Sequence, residues 1–202
     1  MKVLFFGDSI TEQAIETGGF ILQIDSMVKQ SPLSDDVQLM GAGISGDKVY
    51  DLYLRLETDV LQKDPDIVFI FIGINDVGHK LSRHTGTDAD KFEKFYRAII
   101  EKLRKKNITI ILCTPTVLGE KNDGANELDE DLNTYSNIIR TLSKDYYLQL
   151  CDLRKTFTAY LKTNNPSNQE KGILTEDCLH LNATGNLVVA NAMWNTLQPL
   201  LK

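Results

Sequence analysis

The 202-residue sequence is short of nearly every residue that marks a special architecture. Five prolines and 13 glycines are too few for a collagen-like or low-complexity chain. Its longest apolar run, Ile67–Ile74, is eight residues, far below the roughly 18 that suggest a membrane span. A basic stretch is also missing: 22 Lys and Arg face 28 Asp and Glu, for a net charge of −6. That balance argues against nucleic acid or an anionic membrane as partner and leaves a small molecule. Cysteine is scarce, and Cys113, Cys151 and Cys178 show no CxxC or other zinc spacing. They read as small buried hydrophobes in a reducing compartment, so neither disulfide nor metal is expected. The opening Met1-Lys2-Val3-Leu4-Phe5-Phe6 reaches Gly7-Asp8-Ser9 before a signal peptide's apolar core could finish, which makes a cytoplasmic location the expectation.

What the chain does contain is an ordinary globular mixture, 42% hydrophobic and 25% charged. Its length suits one domain over residues 1–202. Short β-rich apolar runs alternate with longer amphipathic ones. The strand candidates are Lys2–Phe6, Val37–Met40, Ile67–Ile72, Ile108–Cys113 and Leu148–Cys151. Ile67–Ile72 is apolar at every position, which suits a strand covered on both faces. Helical spacing joins Val49, Leu52, Tyr53, Leu56, Val60 and Leu61, and it recurs over Asp88–Lys105, Leu128–Leu142 and Asn186–Leu200. Strands alternating with helices imply an α/β fold, a doubly wound sandwich on a parallel sheet. Such sheets bind ligands beyond the carboxyl ends of their strands, near the point where strand order reverses.

The segments after the strands hold the polar residues that matter. Gly7-Asp8-Ser9-Ile10-Thr11 follows the first strand, where Ser9 would be an exposed hydroxyl beside helix N–H groups, or Ser9 or Thr11 merely a cap. Gly43-Ile44-Ser45-Gly46-Asp47 follows the second, with Gly46 able to bring its N–H close to a ligand and Asp47 reading as an N-cap. Gly73-Ile74-Asn75-Asp76 follows the third; Asn75 suits either an amide donor to a ligand oxygen or an Asx-turn. Near the end, Asp177 stands three residues before His180, close enough to hold the imidazole in one tautomer and leave Nε2 free to take a proton. Asn182 or Thr184 suits the cap of the last helix, whereas His79 and His84 read as exposed in a polar loop. A serine, an Asp–His pair and independent N–H donors are together the components of acyl transfer.

At these four blocks the sequence resembles the GDSL esterase/lipase family, also called SGNH hydrolases. The blocks fall in family order and span Gly7 to Gly185. One departure is Gly41, where the family often has Asn. The resemblance implies a three-layer flavodoxin-like sandwich with a central five-stranded parallel sheet. It implies Ser9 as nucleophile, His180 as general base and Asp177 as its partner, with Ser9 N–H, Gly46 N–H and the Asn75 side chain as the oxyanion hole. It implies no cofactor.

The expected activity is hydrolysis of a small-molecule ester, with short acyl groups and acetyl first, on a soluble alcohol or carbohydrate. Lysophospholipid or thioester hydrolysis is the alternative within the family, and a non-catalytic flavodoxin-like binding module the alternative outside it. Selectivity would come from residues 12–20, 76–88 and 114–127, the last being either a lid or a mobile surface loop.

Overall fold

The computed structural model describes residues 1–31 and 37–201. Five parallel strands form one sheet: β1 (Lys2–Gly7), β2 (Gln38–Gly43), β3 (Ile67–Phe71), β4 (Thr109–Cys113) and β5 (Gln149–Cys151), in the order β2-β1-β3-β4-β5. Strand order therefore reverses between β1 and β3, which places the expected binding crevice beyond Gly7 and Phe71.

Alternation along each strand sorts side chains into two cores. Val3, Phe5, Ile67, Phe69, Phe71 and Ile111 face one layer, made by α1 (Ser9–Gln13), α2 (Phe20–Gln30), α7 (Leu153–Asn164) and α8 (Ala183–Leu197). Leu4, Phe6, Val68, Ile70, Ile110 and Leu112 face the other, made chiefly by α3 (Val49–Asp59), α5 (Ala89–Arg104) and α6 (Asp129–Tyr146). On the first side the Phe5 and Phe69 rings stack with centroids 4.8 Å apart, and the Phe20 ring meets Phe5 edge-on at 6.0 Å. Among the described residues no helix is long and apolar enough to cross a membrane.

The expected sandwich and its five parallel strands are present. The differences lie at element ends and in two helices. β2 runs on to Gly43, because Gly41, Ala42 and Gly43 pair with Phe5, Phe6 and Gly7. These small residues let the first layer come close: a Cβ on Gly43 would lie 2.1 Å from the Glu12 backbone nitrogen. The same holds at Gly41, where a Cβ would meet the Ile15 side chain at 2.7 Å. A residue such as Asn there would have to displace the Ile15 side chain. The segment after β3 is helical as α4 (Ile74–Ser82), not a polar loop. α7 answers to no helix read from the sequence.

Candidate active site

Ser9 opens α1 at the carboxyl end of β1. Asp8 is the N-cap, its Oδ1 accepting the Ile10 N–H at 3.1 Å, so neither Ser9 nor Thr11 has the capping role. That leaves the Ser9 hydroxyl for another partner. As the first helical residue, Ser9 also has no carbonyl one turn earlier to bind its N–H.

The partner comes from 171 residues further along: His180 Nε2 lies 3.1 Å from Ser9 Oγ. The same ring's Nδ1 lies 2.7 Å from Asp177 Oδ2. Asp177 Oδ1 accepts the backbone N–H groups of Leu179 and His180 at 3.1 and 2.7 Å. Desolvation alone would raise the Asp177 carboxyl, but the hydrogen bonds from the His180 ring and from these backbone groups draw it below the ordinary range. An ionised Asp177 fixes the Nδ1–H tautomer and makes Nε2 the acceptor for the serine proton. The turn is closed by Glu176 N–H donating to His180 O at 2.9 Å and by the Thr175–Leu181 bridge. Asn182 then caps α8 by accepting the Gly185 N–H at 2.9 Å.

Gly46 lies in the loop between β2 and α3 with φ +84°, a left-handed conformation that L-residues other than glycine adopt at a cost. The loop is fastened to the serine loop: Ile44 N–H donates to Gly7 O at 3.2 Å and Ser45 N–H to Glu12 Oε2 at 3.0 Å. Asn75 stands in the first turn of α4, and its Nδ2 donates to Asp47 O at 3.0 Å. One amide hydrogen thus braces Asn75 against the neighbour of Gly46, and the second is left for a ligand oxygen. Asn75 is therefore not the stop of an Asx-turn. The structure joins Ser9, His180 and Asp177 by hydrogen bonds and brings Gly46 and Asn75 to the same sheet edge.

Several supporting residues escaped the sequence reading. Asp47 does not cap α3; Lys48 occupies that position, and Asp47 pairs with Arg55 at 2.6 Å. Arg55 also donates to Ala42 O at 3.1 Å and Gly7 O at 2.8 Å, so one guanidinium ties the ends of β1 and β2 together. Asp76, fully buried, accepts the Val49 N–H at 3.2 Å. Burial pushes the Asp8 and Asp76 carboxyls each up to about 7. The signal for Arg55 was its place on α3, four residues before Asp59, with which it pairs at 2.8 Å. His79 is 8% exposed, not solvated, because it lies on the inner side of α4; His84 is exposed as expected. Burial, with Lys48 and Arg83 nearby, lowers the His79 imidazole below its usual value and so favours its neutral form.

Residues 114–127 are held down at several points. Asn122 Nδ2 donates to Leu161 O at 3.2 Å and to Asn165 O at 2.8 Å, while Asn126 Oδ1 accepts the Lys121 N–H at 3.2 Å. Between this segment and α4 runs a groove of about 790 Å³, bordered by Asn75 and Asp177. Among the described residues no group of three or more His, Cys, Asp or Glu is arranged to hold a metal ion. The site can pass a proton from a serine hydroxyl to an imidazole and offer N–H donors beside it, which is acyl-transfer chemistry.

Comparison with known proteins points the same way. Residues 5–188 match the GDSL-like Lipase/Acylhydrolase family. An acetylxylan esterase from Geobacillus stearothermophilus is 27% identical over 95% of this chain and 91% of its own length. The crystal structure of the acetyl xylan esterase AlAXEase is 56% identical, covers 96% of this chain and 98% of its own, and superposes with a TM-score of 0.95. A solved structure of a mutant of an acetyl-xylooligosaccharide esterase from Geobacillus is 25% identical, covers 97% of this chain and 93% of its own, and gives a TM-score of 0.85.

Proposed function

The chain belongs to the GDSL-like lipase/acylhydrolase family, and from that premise we propose that it is a serine esterase removing acetyl groups from carbohydrate esters. The observation that carries the chemistry is the unbroken hydrogen-bond chain Ser9 Oγ–His180 Nε2–His180 Nδ1–Asp177 Oδ2, at 3.1 and 2.7 Å. The 56% identity to an acetyl xylan esterase over nearly the full length supports the choice of substrate class.

In this reading His180 Nε2 accepts the Ser9 proton as Oγ attacks the acetyl carbonyl. Negative charge gathers on the carbonyl oxygen, where Ser9 N–H, Gly46 N–H and Asn75 Nδ2 donate to it. The tetrahedral intermediate collapses, His180 returns its proton to the departing alkoxide, and an acetyl-serine remains. Water, deprotonated by the same imidazole, then releases acetate and restores the hydroxyl.

Ser9→Ala is the direct test. Hydrolysis of p-nitrophenyl acetate should fall by about 10⁴-fold or more, with an unchanged circular dichroism spectrum. Turnover within about tenfold of wild type would remove Ser9 as nucleophile. The acetyl assignment is tested by chain length, with acetyl expected to exceed octanoyl in kcat/KM.

A further inference from the structure

The groove between α4 and residues 118–128 is larger than an acetyl group requires, and its position says which half of the ester it receives. At about 790 Å³ it falls in the range of pockets that enclose whole small ligands. One border is Asn75, proposed to hold the carbonyl oxygen; another is Asp177-Cys178-Leu179, the turn that carries His180. A base that returns its proton to the leaving alkoxide must lie beside the alcohol oxygen. The groove reaches from Asn75 to the turn that carries His180, which puts it on the side of the site where that base would meet the alcohol.

Its lining selects the kind of alcohol. Arg83, Lys121 and Glu170 reach it, and among the described residues their side chains make no hydrogen bond or ion pair. His79 lines it too, 8% exposed, with Nδ1 lacking any hydrogen-bond partner. In its neutral form that imidazole has one nitrogen to donate and one to accept, which matches a sugar hydroxyl's own two-way capacity. An alkyl chain laid here would strip water from these charged groups and return nothing to them. Leu81 and Leu118 supply the apolar surface on which the C–H face of a pyranose can rest.

We propose that this groove is the carbohydrate subsite of the enzyme, with Arg83, Lys121, Glu170 and His79 binding hydroxyls of the sugar units that flank the acetylated one. The proposal rests on the carbohydrate acetylesterase reading and adds where the sugar lies.

The test compares an acetylated xylo-oligosaccharide with p-nitrophenyl acetate, using wild type and the Arg83→Ala/Lys121→Ala double variant. Arg83 is exposed and Lys121 half-buried, and among the described residues neither side chain holds a hydrogen bond or ion pair, so the variant keeps its packing. The ratio of kcat/KM for the sugar ester to that for p-nitrophenyl acetate should fall about tenfold, mainly through KM, as loss of hydrogen bonds to charged donors predicts. Unacetylated xylotetraose should inhibit p-nitrophenyl acetate hydrolysis by wild type competitively, with an inhibition constant about tenfold weaker in the variant. A ratio and an inhibition constant both unchanged within about twofold would overturn the subsite while the esterase reading stands. Wild type that cleaves p-nitrophenyl acetate but not the sugar ester would overturn the carbohydrate reading itself, and the subsite with it. Wild-type preference for octanoyl over acetyl esters would assign the groove to an acyl chain and likewise overturn it.

Discussion

Asn75 shows how much one side chain can be asked to do at this site. One of its amide hydrogens is committed to Asp47 O at 3.0 Å, so the side chain is already aimed before a substrate arrives. A donor held in advance needs no reorganisation when charge develops, and this is where its value to catalysis comes from. Asn75→Ala is expected to lower kcat by about 10²–10³-fold with little change in KM. Steady-state kinetics on p-nitrophenyl acetate check this, and a loss below about threefold would remove Asn75 from the oxyanion hole. Residues of this kind were visible in the sequence because each carries recognisable chemistry immediately after a strand or before the last helix. Arg55 and Asp8 were not visible as supports. For Arg55 the letters offered only its spacing from Asp59; its ties to Gly7 O and Ala42 O, like that of Asp8 to the Ile10 N–H, involve backbone groups, which nothing in a string of letters marks as needing a partner.

The segment before α8 carries Asp177 and His180, yet it has almost no regular structure to hold it. Its anchor is Glu120, a fully buried carboxylate from the far side of the groove. Glu120 Oε2 accepts the Ile173 N–H at 2.7 Å, and Oε1 accepts the Leu174 N–H at 2.7 Å and the Thr175 hydroxyl at 2.8 Å, with the Thr175 N–H also donating to it. Gly119 N–H donates to Cys178 O at 2.8 Å, one residue from the Asp177 that orients the imidazole. Glu120→Ala would leave four donors without an acceptor, three of them buried, at about 1–3 kcal/mol for each that water cannot reach. Glu120→Gln keeps an oxygen for most of them and sets an amide against the remaining N–H, so it should be the milder change. The expected order in thermal unfolding is wild type above Glu120→Gln above Glu120→Ala. In protein still folded, kcat should fall further than KM changes, because the turn that positions His180 has loosened. A Glu120→Gln variant as stable as wild type would show that the carboxylate's second oxygen carries no role, and one no more stable than Glu120→Ala would show the same of the oxygen it keeps. Element by element, the sheet was legible where burial on both faces wrote a continuous apolar run, as in β3. It was less so in β2, whose last residues are Gly41-Ala42-Gly43 and are chosen for the close approach of α1, not for strand propensity. α4 was hidden because its first turn holds Asn75 and Asp76 and it contains Gly78, all weak helix formers.

At the scale of the whole molecule, the two cores stabilise the sheet while its carboxyl edge works against it. Three aspartates gather there, Asp8, Asp47 and Asp76, and all have carboxyls raised from their ordinary value. Desolvation is the leading cause for each, and Asp76 and Asp47 add repulsion at Asp8. Asp47 is partly compensated by Arg55, and Asp76 by the Val49 N–H; Asp8 keeps chiefly the Ile10 N–H. These residues brace the loops bearing Ser9, Gly46 and Asn75, so the unfavourable electrostatics sit where the site is built, as is common where activity and stability compete. The consequence for folding has a definite sign. A carboxyl at about 7 in the folded state and 3.8 when unfolded keeps its proton on folding at intermediate pH, whereas the unfolded chain gives it up. Stability is therefore fully present below the unfolded value and is lost as pH rises through about 7. Asp59, Asp152 and Asp177, whose carboxyls are lowered, act in the opposite sense, but only as pH falls toward and below the ordinary carboxylate range. Between about pH 5 and 8 the lowered His79 imidazole acts in the opposite sense, but it is one group against the two buried acids Asp8 and Asp76, and the thermal midpoint should decline with pH. Asp8→Asn keeps the oxygen that accepts the Ile10 N–H and removes the charge. Its midpoint should fall less steeply over that interval, with the largest gain over wild type at the alkaline end. Parallel midpoint curves for the two proteins would mean that Asp8 ionises within the fold at no cost, contrary to its burial.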